Sequence, residues 1–424
     1  MSNAMVSMQE CGTDAHAAKA LAVEEARQRI MADVEPVAGV EKLALRSALG
    51  RILAEDIHSP IDVPSHTNSA VDVYALAGAD LSPQGTIKLR IIGTSWAGRP
   101  FSGRVHAGEC VRIMTGAVVP GGADTVVMQE HVQAEGDAIL IRPGLQPGEN
   151  VRAAGEDLAK GQLALAKGKQ ILPPELGLLA SLGMVEVAVW RRLRVAFFST
   201  GDELRSLGQP LAEGEIYDSN RYTLYGMLAR LGVDMLDMGV IRDDRDAIER
   251  AFLEAAANAD VIITSGGVSV GEADYVKETL ERLGQINFWQ IAMKPGRPLA
   301  YGRVRGATFF GLPGNPVSVM VTFYQFVEQA LRRMMGQVNA RPAFATFKVR
   351  CVSRLHKRPG RAEFQRAILE PDAAGELVVR ATGQQGSGIL RSMSAANCFV
   401  ILSQDSKTVD PGTFVDVQPF HGVL

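Results

Sequence analysis

From residue 192 to about 338 the chain repeats a short apolar run, a turn and an amphipathic stretch. That alternation restricts the fold more than any other feature of the sequence. Arg194 to Ser199, Val233 to Ile241 and Val261 to Ile263 are strand-length runs rich in β-branched and aromatic residues. Between them, Leu224, Met227, Leu228 and Leu231 recur at helical spacing, behind an Asp218 or Ser219 cap, and stop at Gly232; Ile248, Phe252 and Ala255 form a second stripe. Strands separated by helices of this length predict a parallel, doubly wound sheet. Ligands of such sheets bind beyond the carboxyl ends of the strands. Gly201-Asp202-Glu203, Arg242-Asp243-Asp244, Thr264 to Gly267, Lys294 to Pro298 and Leu312 to Pro316 all fall at such ends. Five turns on one rim of one sheet predict a site there.

The segment Thr264 to Asp274, TSGGVSVGEAD, joins a buried strand to the helical stretch Tyr275 to Leu283. A strand, a Gly-rich turn and a helix start together aim backbone N–H groups at an anion. Gly266 and Gly267 allow close backbone approach, Thr264, Ser265 and Ser269 offer hydroxyls, and Glu272 and Asp274 add carboxylates. A pair of glycines alone is more often a steric requirement of the turn. Here Asp202, Glu203, Asp243 and Asp274 stand near backbone donors and Lys294, a set suited to Mg²⁺ bridging the phosphates of a nucleotide. Lys294 and Arg297 suit an oxyanion, over which Arg366 and Ser387 close. No Ser–His–Asp order is present, so positioning and charge neutralisation are the expected chemistry.

The rest of the 424 residues divides around this unit. A helix over 16–32, within a segment 16–42, is expected to pack with the central α/β domain at 191–338. Residues 43–59 and 153–190 read as one mixed α/β linker domain interrupted by a β-rich domain at 60–152. Residues 339–424 read as a C-terminal β-barrel. Ser2 to Ala4 ahead of Met5 resembles a tag-cleavage remnant, and no signal peptide is expected. A net charge of −3 argues against nucleic acid or an anionic membrane as the main partner. Cys11, Cys110, Cys351 and Cys398 have no metal or disulfide spacing, and a reducing cytoplasm is expected. The run Arg354, His356, Lys357, Arg358, Arg361 reads as a solvated hairpin.

TSGGVSVGEAD, STGDEL, IYDSN, IRDD, KPGRP and GLPGNPVS, with NSAVDVYA, RIMTGA, GEDL, PGRAEFQR and GQQGS, closely resemble the molybdopterin molybdenumtransferase family, which includes MoeA and the gephyrin E-domain. The resemblance runs in order from about residue 16 to the C-terminus. It implies a central sheet of the molybdopterin-binding type in a four-part, elongated homodimer. It also implies an enzyme that takes adenylylated molybdopterin and molybdate, requires Mg²⁺ and releases AMP. Molybdopterin adenylyltransferase and recipient molybdenum enzymes are the implied partners. By resemblance Asp72, Thr115, Asp157, Glu203 and Asp274 are catalytic, and Glu203, Asp243 and Asp274 surround the metal. Lys294, Arg297, Arg366 and Ser387 match the oxyanion pocket, with Pro313, Gly314 and Pro316 shaping the loop beside it. Adenylyl transfer to molybdopterin and a non-catalytic scaffold are the competing functions. The sequence departs from the family at Val73, which stands where Gly is usual; if that Gly has positive φ, Val73 distorts the loop carrying Asp72. Thr67, Ala153, Ala154 and Gln290 also depart, the last three removing positive charge.

Overall fold

The computed structural model describes residues 20–267, 275–337 and 346–420. Six strands form the central sheet in the order Asp234–Ile241, Arg194–Thr200, Val261–Ser265, Ala307–Leu312, Pro298–Val304, Gly284–Gln290. The first four run parallel, and the last two pairings are antiparallel. Side chains along a strand alternate between faces, and here both faces are buried. Val195 and Phe197 join Leu224, Leu228 and Val319 in one core, while Ala196 and Phe198 join Ile248, Phe252, Val276 and Leu280 in another. The helices Ser219–Leu231 and Arg245–Asn258 therefore cover opposite faces, the doubly wound arrangement. Burying one Phe contributes roughly 1.5–3 kcal/mol, and Phe197, Phe198, Phe309 and Phe310 are all fully buried.

The strand Pro298–Val304 is absent from the alternation read in sequence. It forms a hairpin with Ala307–Leu312 through Arg305 and Gly306, at φ 49° and 99°. A two-residue turn with both residues at positive φ matches the twist of the strands, but its usual sequence is Asn-Gly, and Arg305 hides it. The described part of the N-terminal helix is Val23–Asp33, and Ala26, Ile30 and Val34 lay it on the central core. A longer helix begins at Pro316 and continues to Met334 through one π-helical turn, Phe323–Val327.

Two chain segments build the linker unit. Val40–Ala44 pairs with Glu186–Trp190, and Ile57–His58 pairs with the strand Leu163–Leu165, around Leu53, Ile171, Leu179 and Val189. Within the intervening segment six strands form a separate sheet, in the order Thr125–Val127, Val73–Leu76, Glu109–Ile113, Ile87–Ser95, Ala138–Ile141, Val132–Glu135. Val73 begins one of these strands, paired with Ile113. Among the described residues only Asn150 and Arg305 are non-glycines at positive φ. The distortion expected at Val73 is therefore not present, because the backbone there is extended.

At the C-terminus, Ala362–Pro371, Leu377–Ala381, Phe347–Cys351, Phe414–Pro419 and Cys398–Leu402 pair in that order, and the last closes on the first. The result is a closed five-stranded barrel filled by Val349, Leu369, Val379, Val400 and Val417. Met293–Lys294 adds to the outside of this barrel, pairing in parallel with Ala362–Glu363. The barrel is thus joined to the sheet domain by a backbone ladder.

Candidate functional site

The carboxyl ends of the central strands open into a cleft of about 1000 Å³, roofed on one side by the barrel. Glu203, Asp243, Gly266, Gly267, Lys294, Arg297, Pro313, Gly314 and Ser387 all line it. Glycine is required at the centre of the cleft. Gly267 has φ 64°, and a Cβ there would lie 2.5 Å from Cγ2 of Val276. Gly296, at φ 92°, would place a Cβ 2.6 Å from Oγ1 of Thr322.

Several hydrogen bonds hold the loops around the cleft. Asn220 Nδ2 donates to Oγ of Ser265 (2.8 Å) and to the carbonyl of Gly314 (2.7 Å), tying two strand ends together. Asp218 caps the helix bearing Asn220 by accepting from the Arg221 N–H (3.1 Å) and the Ser199 hydroxyl (3.1 Å). Val317 N–H donates to the carbonyl of Ser387 (3.1 Å), joining the barrel loop to the start of the long helix. The IYDSN motif pointed toward Asn220, but its spacing gave no sign of the two loops it would tie.

Acids and bases occupy opposite sides. Asp243 N–H donates to Oδ1 of Asp202 (3.3 Å), which gathers Asp202, Glu203 and Asp243. Partial desolvation, then repulsion from Asp202 and Glu203, holds the Asp243 carboxyl above its ordinary range. Among the described residues no three His, Cys, Asp or Glu side chains converge closely enough to hold a metal ion alone. Ser269, Glu272 and Asp274 lie outside the described residues. On the other side stand Lys294 and Arg297, joined by Arg361 of the barrel. Among the described residues none of these three cations has a carboxylate within ion-pair distance.

The structure corrects several expectations. Thr264 is fully buried within its strand and does not line the cleft; among the described residues its Oγ1 has no partner. Ser265 is buried too and spends its hydroxyl on Asn220. Their positions inside the sheet ladder put the glycines, and not the hydroxyls, at the rim. Pro316 starts its helix without lining the cleft. Arg366 does not reach the cleft either. Its fully buried guanidinium donates to Ser392 Oγ (3.0 Å) and the Gly386 carbonyl (3.0 Å), behind the loop that presents Gln385 to Ser387. Burial pushes that guanidinium down to about 10. In the run 354–361, Arg354, His356, Arg358 and Arg361 are exposed as expected, but Lys357 is buried, Arg361 lines the cleft, and the strands on either side do not pair as a hairpin. Arg361 was visible in the PGRAEFQR motif but was absorbed into a charge run.

Asp72, Thr115 and Asp157 lie away from the cleft. Asp72 Oδ1 accepts from the N–H (2.6 Å) and hydroxyl (2.9 Å) of Thr115 on the six-stranded outer sheet, and these bonds hold its carboxyl below the usual range. All three residues are exposed. Gln290 ends its strand without lining the cleft, and its carbonyl accepts from Leu21 N–H (2.8 Å). Ala153 and Ala154 are exposed.

Three family models match the chain in order. The MoeA N-terminal region, domains I and II, matches residues 21–183; a probable molybdopterin binding domain matches 196–333; and the MoeA C-terminal region, domain IV, matches 348–420. The chain belongs to the MoeA family. It is 43% identical to a molybdopterin molybdenumtransferase of Haemophilus influenzae, covering 95% of this chain and 100% of that one. A molybdopterin molybdenumtransferase from a Nostoc species is 36% identical over 88% of this chain and 87% of its own. Among solved structures, the molybdopterin biosynthesis moeA protein of Pyrococcus horikoshii superposes with a TM-score of 0.83 at 30% identity, covering 95% of this chain and 100% of that one.

Proposed function

We propose that this MoeA-family protein is a molybdopterin molybdenumtransferase, which inserts molybdenum from molybdate into adenylylated molybdopterin and releases AMP. The observation that carries this reading is the polarity of the cleft: acids on one rim and, on the other, cations that have no ion-pair partner among the described residues. Such a cleft fits a substrate that brings both an anionic phosphate and an oxyanion. The pterin's own dithiolene supplies the sulfur ligands for molybdenum, so the protein has to bind, orient and neutralise. Lys294, Arg297 and Ser387 fit the oxyanion, while Gly266 and Gly267 let a phosphate approach the backbone.

Glu203 and Asp243 fit Mg²⁺, which takes few protein carboxylates and shares phosphate oxygens. Desolvation raises the Asp243 carboxyl first, and a divalent cation would relieve the repulsion from Asp202 and Glu203 that adds to it. When bound, the ion would neutralise charge on the adenylyl phosphate. Asp72, Thr115 and Asp157 belong to the same reading as residues supplied by a second copy of the chain, since they stand apart from the cleft of their own. A cytoplasmic setting is supported by free thiols at Cys110, Cys351 and Cys398. Among the described residues no helix is long and apolar enough to cross a membrane. The test is direct: purified protein given adenylylated molybdopterin, molybdate and Mg²⁺ should release AMP and yield cofactor that activates an apo-molybdoenzyme. ATP consumption with free molybdopterin and no molybdate would instead indicate adenylyl transfer.

A further inference from the structure

The start of the helix Ser219–Leu231 is tied to all four parallel strands of the central sheet. Arg221 pairs with Asp237 of the strand Asp234–Ile241 (2.9 Å). The capping residue Asp218, only 2% exposed, accepts from the hydroxyl of Ser199 in Arg194–Thr200 (3.1 Å). Asn220 takes the other two. Its Nδ2 donates to Ser265 Oγ (2.8 Å), at the end of Val261–Ser265, and to the Gly314 carbonyl (2.7 Å), just beyond Ala307–Leu312. Ser265 runs directly into Gly266 and Gly267, and Gly314 sits between Pro313 and Asn315; both stretches line the cleft.

The helix does not need an amide at position 220, because Asp218 already caps it by accepting from the Arg221 N–H (3.1 Å). The amide is also unfavourable in one respect: its Oδ1 is buried and has no partner among the described residues. Turning the group over would set that oxygen against the Gly314 carbonyl, which can only accept. What the arrangement provides is a fixed spacing between two walls of the cleft. We propose that Asn220 is a positioning residue for the reaction: through Nδ2 it sets the distance between the Gly266–Gly267 turn and the Pro313–Asn315 loop, and so the alignment of the groups that each wall holds. This rests on the molybdenum-transfer reading above. Asn220 does not itself line the cleft, so it acts only through these two loops. A misplacement of about 1 Å costs on the order of a hundredfold in rate.

Steady-state AMP release and thermal melts of the full chain test the assignment in wild type, Asn220→Ala, Asn220→Asp, Ser265→Ala and Tyr301→Phe. Asn220→Ala should lower kcat about tenfold to a hundredfold and leave KM nearly unchanged. Asn220→Asp keeps the shape but turns an acceptor toward the Gly314 carbonyl, so it should lose as much. Ser265→Ala breaks one of the two bonds and should lose less. Tyr301→Phe deletes a bond of the same kind outside the cleft, from Tyr301 Oη to Asp33 (2.6 Å), and should lower the melting temperature with kcat unchanged. Wild-type kcat in Asn220→Ala overturns the assignment and leaves the cleft's function standing. So does a kcat loss no larger than that of Tyr301→Phe for an equal fall in melting temperature. If Asn220→Ala does not fold, full kcat in Asn220→Asp overturns the assignment in its place. No AMP release by wild type removes the cleft's function and this assignment with it.

Discussion

Asp243 combines a stability cost with a functional use. Its carboxyl is held above its ordinary range by desolvation first and by Asp202 and Glu203 after that. A carboxyl raised on folding binds its proton more tightly in the folded state. Stability therefore falls as pH rises from the unfolded pKa through the folded one, and the penalty is complete above both. Asp243→Asn removes the charge without changing the shape. The variant should melt above wild type at about pH 7–8, and that gap should close toward pH 4. Its AMP release should drop on the order of a hundredfold, as for loss of one electrostatic partner of the reacting charge. Thermal melts across pH, paired with AMP assays, check both halves. An active Asp243→Asn protein would detach this carboxylate from the chemistry.

Elements bring these residues together, and two joints deserve a prediction. In the π-helical turn, Gln325 is fully buried and its Nε2 donates to Oε1 of Gln418 in the barrel (2.9 Å). Arg27 of the N-terminal helix donates to the Gln325 carbonyl (3.1 Å) and to its side-chain oxygen. One side chain thus links three parts of the chain, where π turns often mark functional geometry. Gln325→Leu orphans Gln418 and should cost about 1–3 kcal/mol. Gln325→Leu with Gln418→Leu should cost less than the sum of the single changes, because both partners go together; denaturant melts of the four proteins decide it. At the second joint, Gly296→Ala places a methyl against Thr322 and strains a backbone at positive φ. It should cost roughly 1–3 kcal/mol and raise the KM for molybdate by displacing Lys294 and Arg297, whereas Gly306→Ala, also at positive φ but with open space around its Cβ in a turn outside the cleft, should cost stability without raising the KM. The strand–helix alternation and its turns were legible because periodicity and loop position follow from local sequence. Pro298–Val304 was not, since its turn uses Arg305 in place of Asn, and Thr264 was misassigned because a hydroxyl's reach depends on sheet depth. Arg366 was expected at the pocket and is buried behind it, while Arg361, read as solvated, lines the cleft, because burial is a tertiary fact that motif membership does not carry.

At the scale of the whole molecule, the separation of Asp72, Thr115 and Asp157 from the cleft requires an explanation if all belong to one reaction. A β-rich lobe on a two-segment linker can be presented to another copy of the chain, and a two-fold axis would then build two identical composite sites. Mixing defective proteins tests this. Asp72→Ala keeps an intact cleft, and Lys294→Ala keeps an intact β lobe; each alone should be nearly inactive. If each site takes its cleft from one protomer and Asp72 from its partner, dissociation and reassociation of an equal mixture makes half the dimers mixed. Each mixed dimer then has one complete site and one doubly defective site. Activity should recover to about a quarter of wild type, and the recovery should depend on subunit exchange and vanish when the dimers are cross-linked before mixing. A site completed within one chain gives a different result, because no pairing of these two proteins then contains an undamaged site. Mixing would leave activity at the level of the parents.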